Sequence, residues 1–165
     1  MSDALPYYSS IFRNLSLENI ENANVICEFI VTEINNQNIK ISTKITHVKI
    51  LCWFSKYLNH KNFDSVTRGD VSDYLNSLKK EESTNPTHKW SGTYNTRQMI
   101  LSKFFRWLYN KDEFDESKWI TPPCMQGLRQ LPPIGGLILE KFALKLLYLG
   151  KKPVVVFGLH YLYQW

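Results

Sequence analysis

The sequence predicts an all-α fold, a bundle of four helices followed by an irregular apolar tail. Four stretches repeat apolar residues at spacings of three and four, the period of an amphipathic helix. Polar or proline-containing segments separate or follow them, and no apolar–polar alternation of the strand type occurs before residue 150. A length of 165 residues suits one domain with a sizeable core plus an appendage. The expected organisation is an N-terminal arm over 1–16, a helical domain over 17–131, and a tail over 132–165 with no recognisable domain.

The first helix is expected over roughly 17–35, with Ile20, Ala23, Cys27, Ile30, Val31 and Ile34 on one side. The second begins after Ser42, an N-cap residue type, and carries Ile45, Val48, Leu51, Phe54 and Leu58. Residues 60–64 read as a turn. Thr67 followed three positions later by Asp70 resembles a capping box with Asp in place of Glu, and it opens a third helix whose buried face is Val71, Tyr74, Leu75 and Leu78. Residues 79–89 are polar, contain Asn85-Pro86 and form an exposed loop. The fourth helix starts near Ser91 or Gly92 and runs to about Asn110, with Tyr94, Ile100, Leu101, Phe104, Phe105 and Leu108 as its apolar set. At ~1.5 Å per residue it spans nearly 30 Å, enough to cross a DNA groove.

After Trp119, Pro122-Pro123 and Pro132-Pro133 bracket a segment that cannot be helical throughout. Beyond it the composition changes abruptly. Of the 32 residues from Ile134 to Trp165, 20 are apolar or aromatic, and only Glu140 is acidic. Residues 137–149 have the pattern of an amphipathic helix and 154–162 that of a short strand, yet the tail is too short to hold a core of its own. The expected origin of the change is a lost reading frame or a gene rearrangement just past Pro133.

Charge changes sign from one helix to the next. Between Glu33 and Asp64 lie five basic residues, Lys40, Lys44, Lys49, Lys56 and Lys61, and no acid; between Glu82 and Asp112 lie Lys89, Arg97, Lys103, Arg106 and Lys111, again without an acid. The first segment instead carries Glu18, Glu21, Glu28 and Glu33. In the third, Asp64, Asp70, Asp73, Glu81 and Glu82 outnumber Arg68, Lys79 and Lys80. The formal net charge is +5, of which +3 belongs to residues 134–165. The clustering by segment is therefore more informative than the total.

Two lines of side chains concentrate this charge. On the second helix Thr46, Lys49, Trp53 and Lys56 share a face away from the apolar stripe, and on the fourth Thr96, Met99, Lys103, Arg106 and Asn110 form a comparable line. Basic side chains reach phosphates while Thr, Asn and Gln can touch base edges. Taken one helix at a time, a solvated face with lysine stems covering apolar surface is the simpler explanation. Two acid-free helices alternating with two acidic ones bring a polyanion-binding surface level with it.

Other chemistries find little support. Cys27, Cys52 and Cys124 match neither a disulfide framework nor a zinc pattern, which points to a reduced, cytoplasmic compartment, nucleoid-associated if DNA is bound. His47, His60, His88 and His160 have no carboxylate or cysteine at ligand spacing, so no metal is expected. Neither a phosphate-cradling glycine loop nor a signal peptide is present, and no apolar run reaches the ~18 residues of a membrane span. Asn14-Leu15-Ser16 matches the glycosylation pattern by chance in an intracellular chain. Glu81-Glu82 and Asp115-Glu116 fall in loops and read as solvated charge. No cofactor and no small-molecule substrate are expected.

The stretch Tyr94-Asn-Thr-Arg-Gln-Met-Ile-Leu-Ser-Lys-Phe-Phe-Arg-Trp-Leu-Tyr-Asn110 resembles the last helix of the core-binding domain of tyrosine recombinases, the phage-integrase type. Phe63-Asp-Ser-Val-Thr-Arg-Gly-Asp-Val-Ser-Asp-Tyr-Leu75 is similar to that family's third helix with its preceding turn. Trp119-Ile-Thr-Pro-Pro-Cys-Met125 resembles integrase-like proteins of archaeal mobile elements. The likeness covers about 17–131. It implies a SAM-like helical bundle that forms one half of a C-shaped clamp around double-stranded DNA, with its second and fourth helices facing the major groove. Those are the two helices that charge singles out.

The family's catalytic half supplies two arginines, a lysine, a histidine or other basic residue and a tyrosine nucleophile. This chain has no arginine after Arg129, and in His160-Tyr-Leu-Tyr163 a tyrosine stands where the family's His-x-x-Arg box has arginine. A tyrosine of ordinary pKa near 10 is unreactive without such neighbours. Tyr161 and Tyr163 are therefore expected to be packing residues, and the chain a non-catalytic DNA-binding remnant. The expected DNA contacts are Lys44, Lys49, Lys56, Lys89, Arg97, Lys103 and Arg106, with Thr46, Asn95 and Thr96 as base or phosphate partners. Arg97, at the apolar edge of its helix, has Asp70 or Asp73 as an alternative partner. Two rivals stand beside this reading: a recombinase subunit that borrows a catalytic half from other subunits, and an interaction module whose apolar tail docks a partner protein.

Overall fold

A computed structural model describes residues 13–36, 39–80 and 90–132. Lys89, the outer part of the arm and the tail with its two expected elements lie outside these residues. The main helices of the described residues are α1 (Ile20–Asn36), α2 (Ile41–Tyr57), α3 (Arg68–Asn76) and α4 (Trp90–Tyr109), with a 3-10 turn at Phe63–Ser65 between α2 and α3 and two more, Glu116–Lys118 and Pro123–Met125, after α4. The described residues contain no strand, and the all-α expectation holds. Residues 13–18 are also helical, and Leu15 is only 3% exposed. The core thus recruits a residue from the stretch expected to be an arm.

The inward face of α1 is shifted from the one its apolar spacing suggested: Ala23 is buried and Ile30 packs against the core as expected, but the rest of the face differs. Asn22, Ala23, Ile26 and Phe29 are buried, whereas Ile20 is 61% and Val31 55% exposed and Cys27 is also exposed. The side chain of Ile34 lies outside those described. Two causes act together. Phe29 is the largest apolar group on the helix and packs against Phe104 and Trp107, each with ring centroids 5.3 Å away. Asn22, rejected by a count of apolar residues, is fully paired: its amide nitrogen donates to Ser55 Oγ at 2.8 Å and to the Lys61 carbonyl at 3.0 Å. Its amide oxygen accepts the Phe63 backbone N–H at 3.1 Å. A buried polar group so satisfied carries no desolvation debt.

α2 starts at Ile41 without a side-chain cap, so Ser42 is not the N-cap; its carbonyl accepts the Thr46 hydroxyl at 3.0 Å one turn on. The helix buries a broad arc of His47, Ile50, Leu51, Cys52, Phe54 and Ser55, with Val48 and Leu58 packed at its margin. Beyond its C-cap Leu58 come two left-handed residues, Asn59 (φ 51°) and His60 (φ 61°), and then the Phe63–Ser65 turn, so the chain turns one residue earlier than the 60–64 expected. Asparagine is among the residues that tolerate this region best.

At α3 the capping box forms as read. Thr67 Oγ1 accepts the Asp70 N–H at 3.3 Å, and Asp70 accepts the Thr67 N–H at 2.7 Å. α4 is the central helix and touches the other three. Its Leu101, Phe104 and Phe105 meet Phe29, Phe54 and Phe63 in a mainly edge-to-face aromatic core. The chain beyond α4 folds back as irregular turns, as its prolines require, and Pro122, Cys124 and Met125 are buried, the Pro123–Met125 turn packing on α3 and α4.

Candidate nucleic-acid interface

α2 and α4 lie side by side, and between them opens a groove of about 570 Å³. Thr46, Lys49, Ile50 and Trp53 line it from α2, and Gly92, Thr93, Thr96 and Arg97 from α4. Residues about fifty positions apart in sequence thus form one surface, and among the described residues no carboxylate lines it. Of the predicted contacts, Thr46, Lys49, Thr96 and Arg97 are brought together here. Lys56 is exposed and lines a second hollow with Glu18, Trp53 and His60. Lys44 lies at the start of α2, and Lys103 and Arg106 continue the outer line of α4 away from the groove. Arg106 rests 5.7 Å from the centre of the Trp119 ring.

Arg97 does not take the alternative acid partner, Asp70 or Asp73. Its Nη1 donates to the Tyr74 hydroxyl at 2.7 Å, and the guanidinium lies 5.0 Å from the Trp53 ring centre and 5.5 Å from that of Tyr74. Asp70 is unavailable because it holds Lys61 at 2.7 Å and caps α3. Burial pushes the Tyr74 phenol above its ordinary value, with the Arg97 charge opposing, so the hydroxyl stays protonated at neutral pH.

Asn95 is not available for DNA as its side chain stands. Its amide nitrogen donates to the Leu131 carbonyl and its oxygen accepts the Leu131 N–H, both at 2.8 Å. Asn110 also leaves the outward line. It is 8% exposed, because the chain after α4 folds over it and exchanges hydrogen bonds of 3.0–3.1 Å between its side chain and the Ile120 backbone. Thr46 and Thr96 donate their hydroxyls to carbonyls one turn earlier, Ser42 at 3.0 Å and Gly92 at 2.9 Å. Their oxygens keep lone pairs for accepting from a ligand.

Within the basic segments, Lys61 and Lys111 form ion pairs inside the molecule. Lys61 pairs with Asp70, and Lys111 with Glu28 at 2.6 Å. Glu18, just before α1, meets His60 at 2.9 Å, and Glu21 on α1 accepts from Asn62. The charge alternation along the chain is therefore partly internal pairing and partly the groove. Sequence reading missed Gly92, Thr93 and Tyr74. A glycine inside the first turn of a long helix was the available signal for the first of these.

The thiols are poorly suited to nucleophilic chemistry. Burial, with Cys27 nearby, pushes Cys52 up to about 12, and burial pushes Cys124 up to about 11. Among the described residues no group of three His, Cys, Asp or Glu side chains could hold a metal ion, and no helix is long and apolar enough to cross a membrane.

No curated protein and no solved structure matches the chain significantly. Residues 26–114 do match a family model, that of the phage integrase N-terminal SAM-like domain. The matched stretch covers more than half the chain and contains α2, α3, α4 and every residue that lines the groove. By that match and by its all-helical architecture, the chain belongs to the phage integrase N-terminal SAM-like domain family, a family of DNA integration and recombination.

Proposed function

We propose that this chain binds duplex DNA across the α2–α4 face, as the core-binding part of an integrase, and that it does not itself cut DNA. The observation that carries the reading is the groove: two helices from acid-free stretches of sequence line one cleft, with no carboxylate among its described lining residues. Lys44, Lys49, Lys56, Lys103 and Arg106 supply charge for phosphates, and Thr46, Thr96 and Arg97 lie where base edges would approach. Asn95 drops out of this set. The absence of any arginine after Arg129 supports the non-catalytic part, since strand cleavage needs fixed cations around the scissile phosphate. The partners are double-stranded DNA and other recombinase subunits, in the compartment where the DNA lies.

A salt titration tests the reading. With ~5 phosphate contacts, binding to random duplex falls in the range of about 10⁻⁴ to 10⁻⁶ M, with a log–log salt slope of roughly −4 to −5. Changing Lys103 and Arg106 together to Glu abolishes it while the helical signal persists. A flat salt response, or no binding at low salt, removes the DNA reading; a covalent protein–DNA adduct trapped on a nicked substrate removes the non-catalytic one.

A further inference from the structure

The groove has a chemistry that phosphate binding alone does not explain. A seat for a phosphate needs convergent donors, because the ligand offers only acceptors. Here Thr46 and Thr96 have already given their hydroxyl hydrogens to α2 and α4 carbonyls, and the polar groups of the lining besides Arg97 are the Lys49 ammonium and the Thr93 hydroxyl, neither of which has the planar fork of a guanidinium. The Trp53 ring, 43% exposed, and Ile50 form apolar wall. Against that wall stands one planar donor group, the Arg97 guanidinium, stacked on Trp53 and tied by Tyr74. Arginine has five N–H donors and Tyr74 takes one, so a donor edge remains for a ligand. The fork's position is set before any ligand arrives, which lowers the ordering cost of binding.

Gly92 adds an independent observation. It lies within α4, where glycine is less favourable than alanine by ~1 kcal/mol. A Cβ built on it would meet nothing within 4 Å, so no neighbour among the described residues requires its absence. The residue keeps the groove open for a ligand that comes close to the helix backbone.

On the DNA-binding reading above, we infer that Arg97 is the base-specifying residue of the interface and that it reads guanine. Guanine presents two acceptors, O6 and N7, on its major-groove edge, and a guanidinium fork engages both at once. The lysines of α2 and α4 are point charges that fix position and carry no such geometry. Tyr74 is a positioning residue: its buried hydroxyl holds the fork in place.

The experiment selects duplexes from a randomised library with the full chain. It then measures binding to the selected duplex and to versions carrying adenine or 7-deazaguanine at the enriched guanine. The wild-type chain should favour guanine by roughly fivefold to a hundredfold, the usual range for a bidentate pair. In Arg97→Lys the guanine-to-adenine ratio should collapse towards one. Tyr74→Phe, which keeps the ring, should lower that ratio by a smaller factor, with circular dichroism confirming the fold of both variants. A guanine preference that survives in Arg97→Lys overturns the inference. So does an Arg97→Lys effect of equal size on both duplexes, the mark of a phosphate contact. Salt-dependent binding without any guanine preference sinks this inference alone, whereas absence of binding at low salt sinks the DNA reading beneath it.

Discussion

Asn22 occupies a helix position that faces the core with 1% of its surface exposed, and three hydrogen bonds to Ser55, Lys61 and Phe63 explain why it can. Asn22→Ala strips partners from a backbone carbonyl and a backbone N–H at once. A loss of about 3 kcal/mol is expected in urea unfolding, given the cost of leaving buried groups unpaired; a loss below ~1 kcal/mol would show that water replaces the side chain. Gly92 makes the opposite prediction. Gly92→Ala should stabilise the fold by about 0.4–1 kcal/mol, since its backbone is helical and its Cβ direction is empty. Gly92→Leu should leave the melting temperature near that of wild type yet weaken DNA binding, because the added side chain enters the groove. Equal DNA affinity in Gly92→Leu would place the ligand elsewhere.

α3 is a nine-residue helix, short enough that its ends decide its stability. Asp70 serves it twice, as the reciprocal half of the capping box and as the partner of Lys61. The Lys61 hydrogen bond, followed by the Thr67 N–H, lowers the Asp70 carboxyl to about 2, below its ordinary 3.8. A carboxylate depressed in the folded state contributes stability that is fully present above its ordinary value and is lost as pH falls from there through about 2. Wild-type stability should therefore decline across that window more steeply than that of Asp70→Asn. At neutral pH the variant should cost about 1 kcal/mol, the usual worth of a cap, because the ion pair is partly screened by solvent. Parallel acid-unfolding curves for the two proteins would exclude this role. The capping box was legible from Thr67 and Asp70 because both partners lie within one turn. The inward face of α1 was not, because the contacts that bury Asn22 come from residues 33 to 41 positions away.

The described helices close a core among themselves, from Leu15 on the N-terminal side to Met125 on the other, and Asn95 fastens the chain as far as Leu131. A chain ending at Pro132 should therefore remain as helical by circular dichroism as the core requires and unfold cooperatively. Its collapse would mean that residues 133–165 are part of the core. The helical type of the fold, its four main helices and the α3 cap follow from spacing along the chain, because each depends on neighbours within a turn or on the composition of one segment. Which basic residues are drawn into pairs within the molecule depends on folding instead. Lys61 pairs with Asp70 and Lys111 with Glu28. Arg97 turns to Tyr74 and Trp53 rather than to an acid, Asn95 is spent on Leu131, and Asn110 is roofed by the returning chain. Each of these outcomes is a pairing between groups on different elements, and spacing along one helix carries no information about which partner the packing of the others will place within hydrogen-bond distance.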